Sequence, residues 1–162
     1  MTEFFLVLGT WALVLVTYWM MRQQTSLLRT DLKVRHQLAF ADRFDAGGML
    51  KNRKLLAHQL LSGAGRGEIE EPVIDFFEDM GLFLRRGYLD EELLWSTFGY
   101  YGVRWWAACK NYILEERKKQ NDSTLFTDFE ALAERFRALD IKEKLAEPTS
   151  SELQSFLQDE SA

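Results

Sequence analysis

The chain has 162 residues and a formal net charge of −5, with 47% hydrophobic and 28% charged residues. This balance argues against nucleic acid as the main ligand, because phosphate binding needs a dense lysine and arginine surface. The single cysteine, Cys109, excludes an internal disulfide. The length is sufficient for one small helical core, and no residue pattern indicates a cofactor.

The first predicted element is an uncharged apolar run over residues 4–21. A helix of this length rises roughly 27 Å, which is close to the hydrocarbon thickness of a bilayer. Tyr18 and Trp19 stand where an interfacial aromatic belt would lie. A signal peptide and a buried core helix are the alternatives. The run predicts a single transmembrane helix, with residues 1–3 on the extracytoplasmic side.

Charge is divided unevenly along the rest of the chain. Residues 22–66 hold nine lysines and arginines against three aspartates, whereas residues 67–162 carry a net charge of −10. Lysine and arginine stay on the cytoplasmic side, so the pattern predicts an inner (plasma) membrane protein with its N-terminus out and its C-terminal domain cytoplasmic. The lipid bilayer is then an expected partner, and an ordinary solvated helix face is the alternative. The predicted membrane-surface basic residues are Arg22, Arg29, Lys33 and Arg35.

A basic juxtamembrane helix is predicted over residues 22–46, because neither proline nor glycine interrupts its helical apolar spacing. Leu27, Val34 and Ala41 recur every seven residues, which is half of a coiled-coil seam. This spacing favours parallel self-association. A homo-oligomer, or a membrane or cytosolic protein partner, is therefore expected.

The remaining helices form the predicted bundle domain, residues 48–140, with segments near residues 49–61, 72–85, 91–118 and 125–139. No alternation typical of strands is present, so the fold class is all-α: a single N-terminal transmembrane helix that continues into a cytoplasmic helical bundle. Residues 141–162 are expected to form a mobile acidic tail. The predicted structural core consists of Phe76, Phe77, Phe98, Tyr101, Trp105, Phe129 and Phe136.

Two glycines stand inside the longest predicted bundle helix. Each of Gly99 and Gly102 costs about 1 kcal/mol relative to alanine in a helix interior. Their presence predicts that another backbone packs closely at this point.

Arg53 and His58 are the candidates for catalysis, because they have the Arg-x4-His spacing of HEPN ribonucleases. The arginine would hold a phosphate and the histidine would act in acid–base cleavage of RNA, across a dimer seam. Chance spacing is the alternative, since the chain is rich in arginine. No metal site is predicted. Asp75, Glu78 and Asp79 lie on one helical turn, where partners of the helix dipole are the expected alternative to magnesium ligands.

Three stretches carry a resemblance to a known family: FFEDMGLFLRRGYLDEELLWSTFG, the tyrosine-rich helix with Trp105-Trp106, and FTDFEALAERF. They resemble a family of uncharacterised bacterial membrane-anchored helical domains. The resemblance implies an N-terminal span and a helical cytoplasmic body, and it implies no activity or catalytic residues.

These observations predict a single-pass, membrane-anchored helical interaction or regulatory module in a membrane-associated complex, and not an enzyme. The alternative is a HEPN-like RNA-cleaving or phage-defence effector that uses Arg53 and His58 in a dimer.

Overall fold

The computed structural model describes residues 2–63 and 71–162, without the side chains of residues 2–10, 12, 26, 27 and 29. Over these residues the chain forms six helices and no strand, so the prediction of an all-α fold is confirmed. The helices are α1 (Thr2–Asp45), α2 (Gly47–Ser62), α3 (Pro72–Arg85), α4 (Glu91–Gln120), α5 (Thr127–Lys142) and α6 (Ser150–Ser161).

Local sequence signals account for several helix ends. Pro72 stands in the first turn of α3, where its missing N–H is not needed. The Asp90 side chain caps α4 by accepting a hydrogen bond from the Leu93 N–H at 3.1 Å. Asn121 ends α4 in a left-handed conformation, with a φ of 51°. These helix ends are therefore specified within a few residues of chain.

The prediction of a transmembrane helix over residues 4–21 is wrong. Across the part of the chain that the structure describes, no helix combines the length and the apolarity that crossing a membrane requires. The predictions that depended on a span, namely single-pass topology, membrane localisation and N-out orientation, are wrong for the same reason.

The core forms where the C-terminal end of α1 meets α3 and α4. Phe44 lies with its ring centroid 4.8 Å from that of Tyr101, 5.4 Å from Phe76 and 5.5 Å from Phe98. Phe40 packs on Phe76 and is likewise buried. The last turns of α1 are thus part of the bundle, and the rest of this 44-residue helix extends beyond it.

The predicted core residues lie mostly inside this bundle. Six of them are at most 2% exposed, namely Phe76, Phe77, Phe98, Trp105, Phe129 and Phe136. Tyr101 is half-buried against the core. The rings of Phe77 and Phe129 stack 5.0 Å apart and join α3 to α5.

A close backbone approach joins α3 to α5 at Gly81. A Cβ atom there would overlap the carbonyl oxygen of Asp128. Polar contacts reinforce this junction, because Arg85 donates two hydrogen bonds to the Asp128 carboxylate and the Phe129 N–H donates to Glu78 at 2.6 Å. Glu78 thereby caps the start of α5 from a neighbouring helix.

The sequence predicts a close backbone at Gly99 and Gly102, but the atoms nearest to these glycines belong to side chains. Gly102 leaves room for the Phe136 ring, and Gly99 faces Trp95 of the same helix. Among the glycines in the described part of the chain, Gly81 is the one that lies against another backbone.

The C-terminal segment is helical and packed. The sequence predicts a mobile tail over residues 141–162, but α6 covers much of that segment and its Phe156 and Leu157 are buried against α2 and α4. The core therefore includes a helix that lies beyond the predicted boundary at residue 140.

Gly81→Ala should destabilise the fold by about 1–3 kcal/mol, because α3 and α5 must separate to admit the new methyl group. Urea unfolding followed by circular dichroism measures the change. Gly48→Ala is the matched control, since no atom lies within 4 Å of a Cβ there and the helix should gain up to about 1 kcal/mol. Equal unfolding midpoints for the two variants would contradict the close approach.

Candidate functional site

Among the side chains that the structure describes, exposed large apolar residues concentrate on α1. We call this group the α1 surface. It comprises the exposed apolar side chains described between Trp11 and Met21, together with Leu28, Leu32, Val34 and Leu38. Leu13 is 70% exposed and Leu15 64% exposed, and a separation of two residues places them on nearly opposite sides of the helix. A helix that is apolar on all sides is normally buried, so this surface indicates contact with another molecule.

The α1 surface continues down to the bundle along one face. Leu38 lies nearly opposite the buried Phe40 on α1, and Val34 lies one turn before Leu38 on the same face. Two residues of the predicted coiled-coil seam, Val34 and Leu38, are exposed. Ala41 packs against the core, whereas the side chain of Leu27 lies outside the described residues. The exposed part of the seam is thus Val34 and Leu38.

A cleft of about 720 Å³ opens where α1 passes the connection between α3 and α4. Leu32 and Val34 of the α1 surface line it on one side, and Tyr88 and Leu93 line it on the other. Lys33, His36, Arg86 and Asp90 supply its polar groups. The mixture of apolar walls and a few charges suits a protein side-chain cluster, and it contains no paired nucleophile and base.

The predicted basic residues do not form one patch. Arg22 lies over the Tyr18 ring, and Arg35 forms an exposed ion pair with Asp31 of the preceding turn at 2.8 Å. Lys33 is half-buried at the cleft, and the side chain of Arg29 lies outside the described residues. Each described residue of this set therefore has a different local environment.

The structure places the two candidate catalytic residues in unlike environments. Arg53 is 7% exposed, with its guanidinium carbon 4.0 Å from the centre of the Phe44 ring, whereas His58 is exposed. The Arg53 Nε lies 3.4 Å from a carboxylate oxygen of Glu160 in α6. With α6 in place the guanidinium is enclosed, so a phosphate from solution cannot reach it.

The acidic cluster of α3 has structural partners. Asp79 accepts a hydrogen bond from Arg43 at 2.8 Å, and Glu78 caps α5. Burial is the main cause that raises the pKa of both Asp75 and Glu78. Within the described ranges, no group of histidine, cysteine, aspartate or glutamate side chains could hold a metal ion.

Two further titratable groups on α4 are tied to the core. Burial raises the pKa of the Cys109 thiol to about 12, so it is a buried, unreactive side chain. Burial, and then the hydrogen bond that its hydroxyl donates to Glu71 at 2.7 Å, raise the pKa of Tyr112. Neither group has the lowered pKa of an activated nucleophile.

Sequence reasoning missed the residues that join distant elements. Glu160 lies opposite Arg53, and Asp128 receives two hydrogen bonds from Arg85. No local motif marks these partners, because they are far apart in the chain. The only available signal was the charge of each residue within an apolar face.

The fold and these environments define an all-helical domain with an aromatic core and an extended, exposed apolar helix. The family described as "Domain of unknown function (DUF4760)" matches residues 12–136, and the chain belongs to this family. This agrees with the resemblance to an uncharacterised family, and the family description states no activity. No curated protein and no solved structure is significantly similar to the chain.

Arg53→Ala should destabilise the fold by roughly 2–4 kcal/mol, because it removes the contact with Phe44 and leaves Glu160 half-buried without its partner. His58→Ala, in the same helix but exposed, should change stability by under about 0.5 kcal/mol. Thermal unfolding of both variants measures the difference. Loss of stability at His58, or none at Arg53, would contradict this placement.

Proposed function

We propose that the chain is a non-catalytic helical interaction module and that its α1 surface binds the α1 surface of a second copy. The observation that supports the proposal is the exposure of apolar side chains along α1, from Trp11 to Leu38. The α2–α6 bundle holds one end of α1 and so presents the rest of the helix to a partner.

Apolar burial gives the driving force for this association. Covering a large aliphatic or aromatic side chain gains about 1.5–3 kcal/mol, and association costs an estimated 4–15 kcal/mol in lost freedom. Several side chains on each copy, such as Trp11, Leu15 and Trp19, are more than 60% exposed and can contribute. The α1 surface is therefore large enough to offset the cost of bringing two copies together.

A parallel arrangement fits the charges on α1. The Asp31–Arg35 ion pair closes within one helix, so two copies can approach at this level without facing unpaired like charges. Val34 and Leu38 lie near this pair and would meet their equivalents across a parallel seam. The cleft beside Leu32 extends the apolar contact toward the bundle.

Sedimentation equilibrium of the full chain in aqueous buffer without detergent tests the proposal. The wild-type protein should be dimeric. The double variant Val34→Glu with Leu38→Glu should raise the dissociation constant of the dimer at least about 100-fold, because each copy would bring two charges into the seam. The matched control is Leu50→Glu with Leu55→Glu on α2, where both leucines are 41% exposed and lie off the α1 surface.

The control variant should remain dimeric. A uniformly monomeric wild-type protein would overturn the proposal, and so would equal dissociation of the two charged variants. For the parallel arrangement, Leu38→Cys should form a disulfide between copies under oxidising conditions, since equivalent residues face each other in a parallel pair. Cys109 is buried and should not compete.

A further inference from the structure

The α6 helix occupies a groove between α2 and α4. Its Phe156 is 3% exposed, with its ring centroid 5.2 Å from Trp105 and 5.9 Å from Tyr100. Leu157 is buried beside it, and Leu153 packs half-buried on the same face. The contact has the form of an amphipathic helix in an apolar groove, with anchors at positions i, i+3 and i+4.

The groove also contains a buried cation, Arg53, with unsatisfied hydrogen-bond donors. Arg53 is 93% buried, and its Nε and Nη1 atoms have no hydrogen-bond partner. Glu160, the next anchor of α6 at i+7, lies close by at 3.4 Å, but the carboxylate oxygen at this distance accepts no hydrogen bond. A buried guanidinium with unsatisfied donors is costly, so a better-placed carboxylate would bind more tightly here.

The helix fills the groove only in part. A cleft of about 310 Å³ remains along the line where α6 meets α4. Tyr100 and Arg104 line it from α4, and Ser155 and Phe156 line it from α6. A larger side chain than Ser155 could enter this space.

The α6 helix is a separable element. Thr149 and Glu152 form a capping box, so the start of the helix is satisfied by its own residues. The connection from α5 is exposed at residues 143–147. The family match ends at residue 136, so it includes both groove walls and does not include α6.

We propose that the face formed by α2 and α4 is a helix-binding groove, with α6 as its resident ligand. Its partner is a protein helix that presents an apolar residue, then phenylalanine and an aliphatic residue three and four positions later, then a carboxylate at the eighth position. The carboxylate binds Arg53 and the phenylalanine takes the place of Phe156 beside Trp105. This site is separate from the α1 surface and does not rest on the function proposed for it.

Peptide exchange in the full chain tests the proposal. A site-specific protease sequence is inserted after Leu145, in the exposed connection, and the folded protein is cut there so that α6 remains as a separate piece. A fluorescent peptide with the sequence of residues 148–162 is then added, and its anisotropy is measured. The peptide should replace α6 in the cut protein and should not bind the uncut protein, because a tethered helix has a high effective concentration.

Variant peptides test the recognition pattern. Peptides with Phe156→Asp or Glu160→Gln should bind at least about 10-fold more weakly, because each loses a buried anchor. A peptide with Gln158→Ala is the control, since Gln158 is exposed, and it should bind like the parent.

Three results would overturn the proposal. One is failure of the labelled peptide to exchange while the cut protein keeps its near-ultraviolet circular dichroism, which would show that α6 does not leave its site. Cutting the connection could unfold the bundle, which would make α6 an integral core helix. Equal binding of the Phe156→Asp and Gln158→Ala peptides would show non-specific binding that does not depend on the Phe156 anchor.

Discussion

The packing of Phe44 is the contact on which the other elements depend. This residue lies in the last turn of α1, and its ring meets Phe76 of α3 together with Phe98 and Tyr101 of α4. Arg53 of α2 lies over the same ring at 4.0 Å. Four helices are thus joined at one buried aromatic ring. The same contact fixes where α1 leaves the bundle and where Arg53 stands in the groove of α6, so both proposed interaction sites depend on it.

Much of the bundle could be predicted because its signals are local or periodic. Pro72 and Asp90 mark helix starts through their own backbone chemistry. Phe98, Trp105 and Cys109 recur at helical spacing, and the structure buries all three. Such features need no knowledge of the partner helix, since any helix with one apolar face must cover that face.

The features that sequence reasoning missed depend on distant contacts. The Arg-x4-His spacing makes Arg53 a candidate phosphate clamp, and its partner Glu160 could not be foreseen because low apolar density predicts a mobile tail there. Gly81 carries no local sign that the Asp128 carbonyl lies against it. The uncharged run at residues 4–21 predicted a membrane span, but no described helix has the apolar length for one. Helical periodicity alone does not identify what covers an apolar face.

We propose that α1, which joins the bundle at its C-terminal end, binds a second copy along its exposed apolar surface. Hydrogen exchange by mass spectrometry at two protein concentrations tests this most directly. Residues 36–45 should be protected equally at both concentrations, because they pack within the bundle. Residues 11–34 should gain protection at the higher concentration. Protection of residues 11–34 that does not change with concentration would contradict the account.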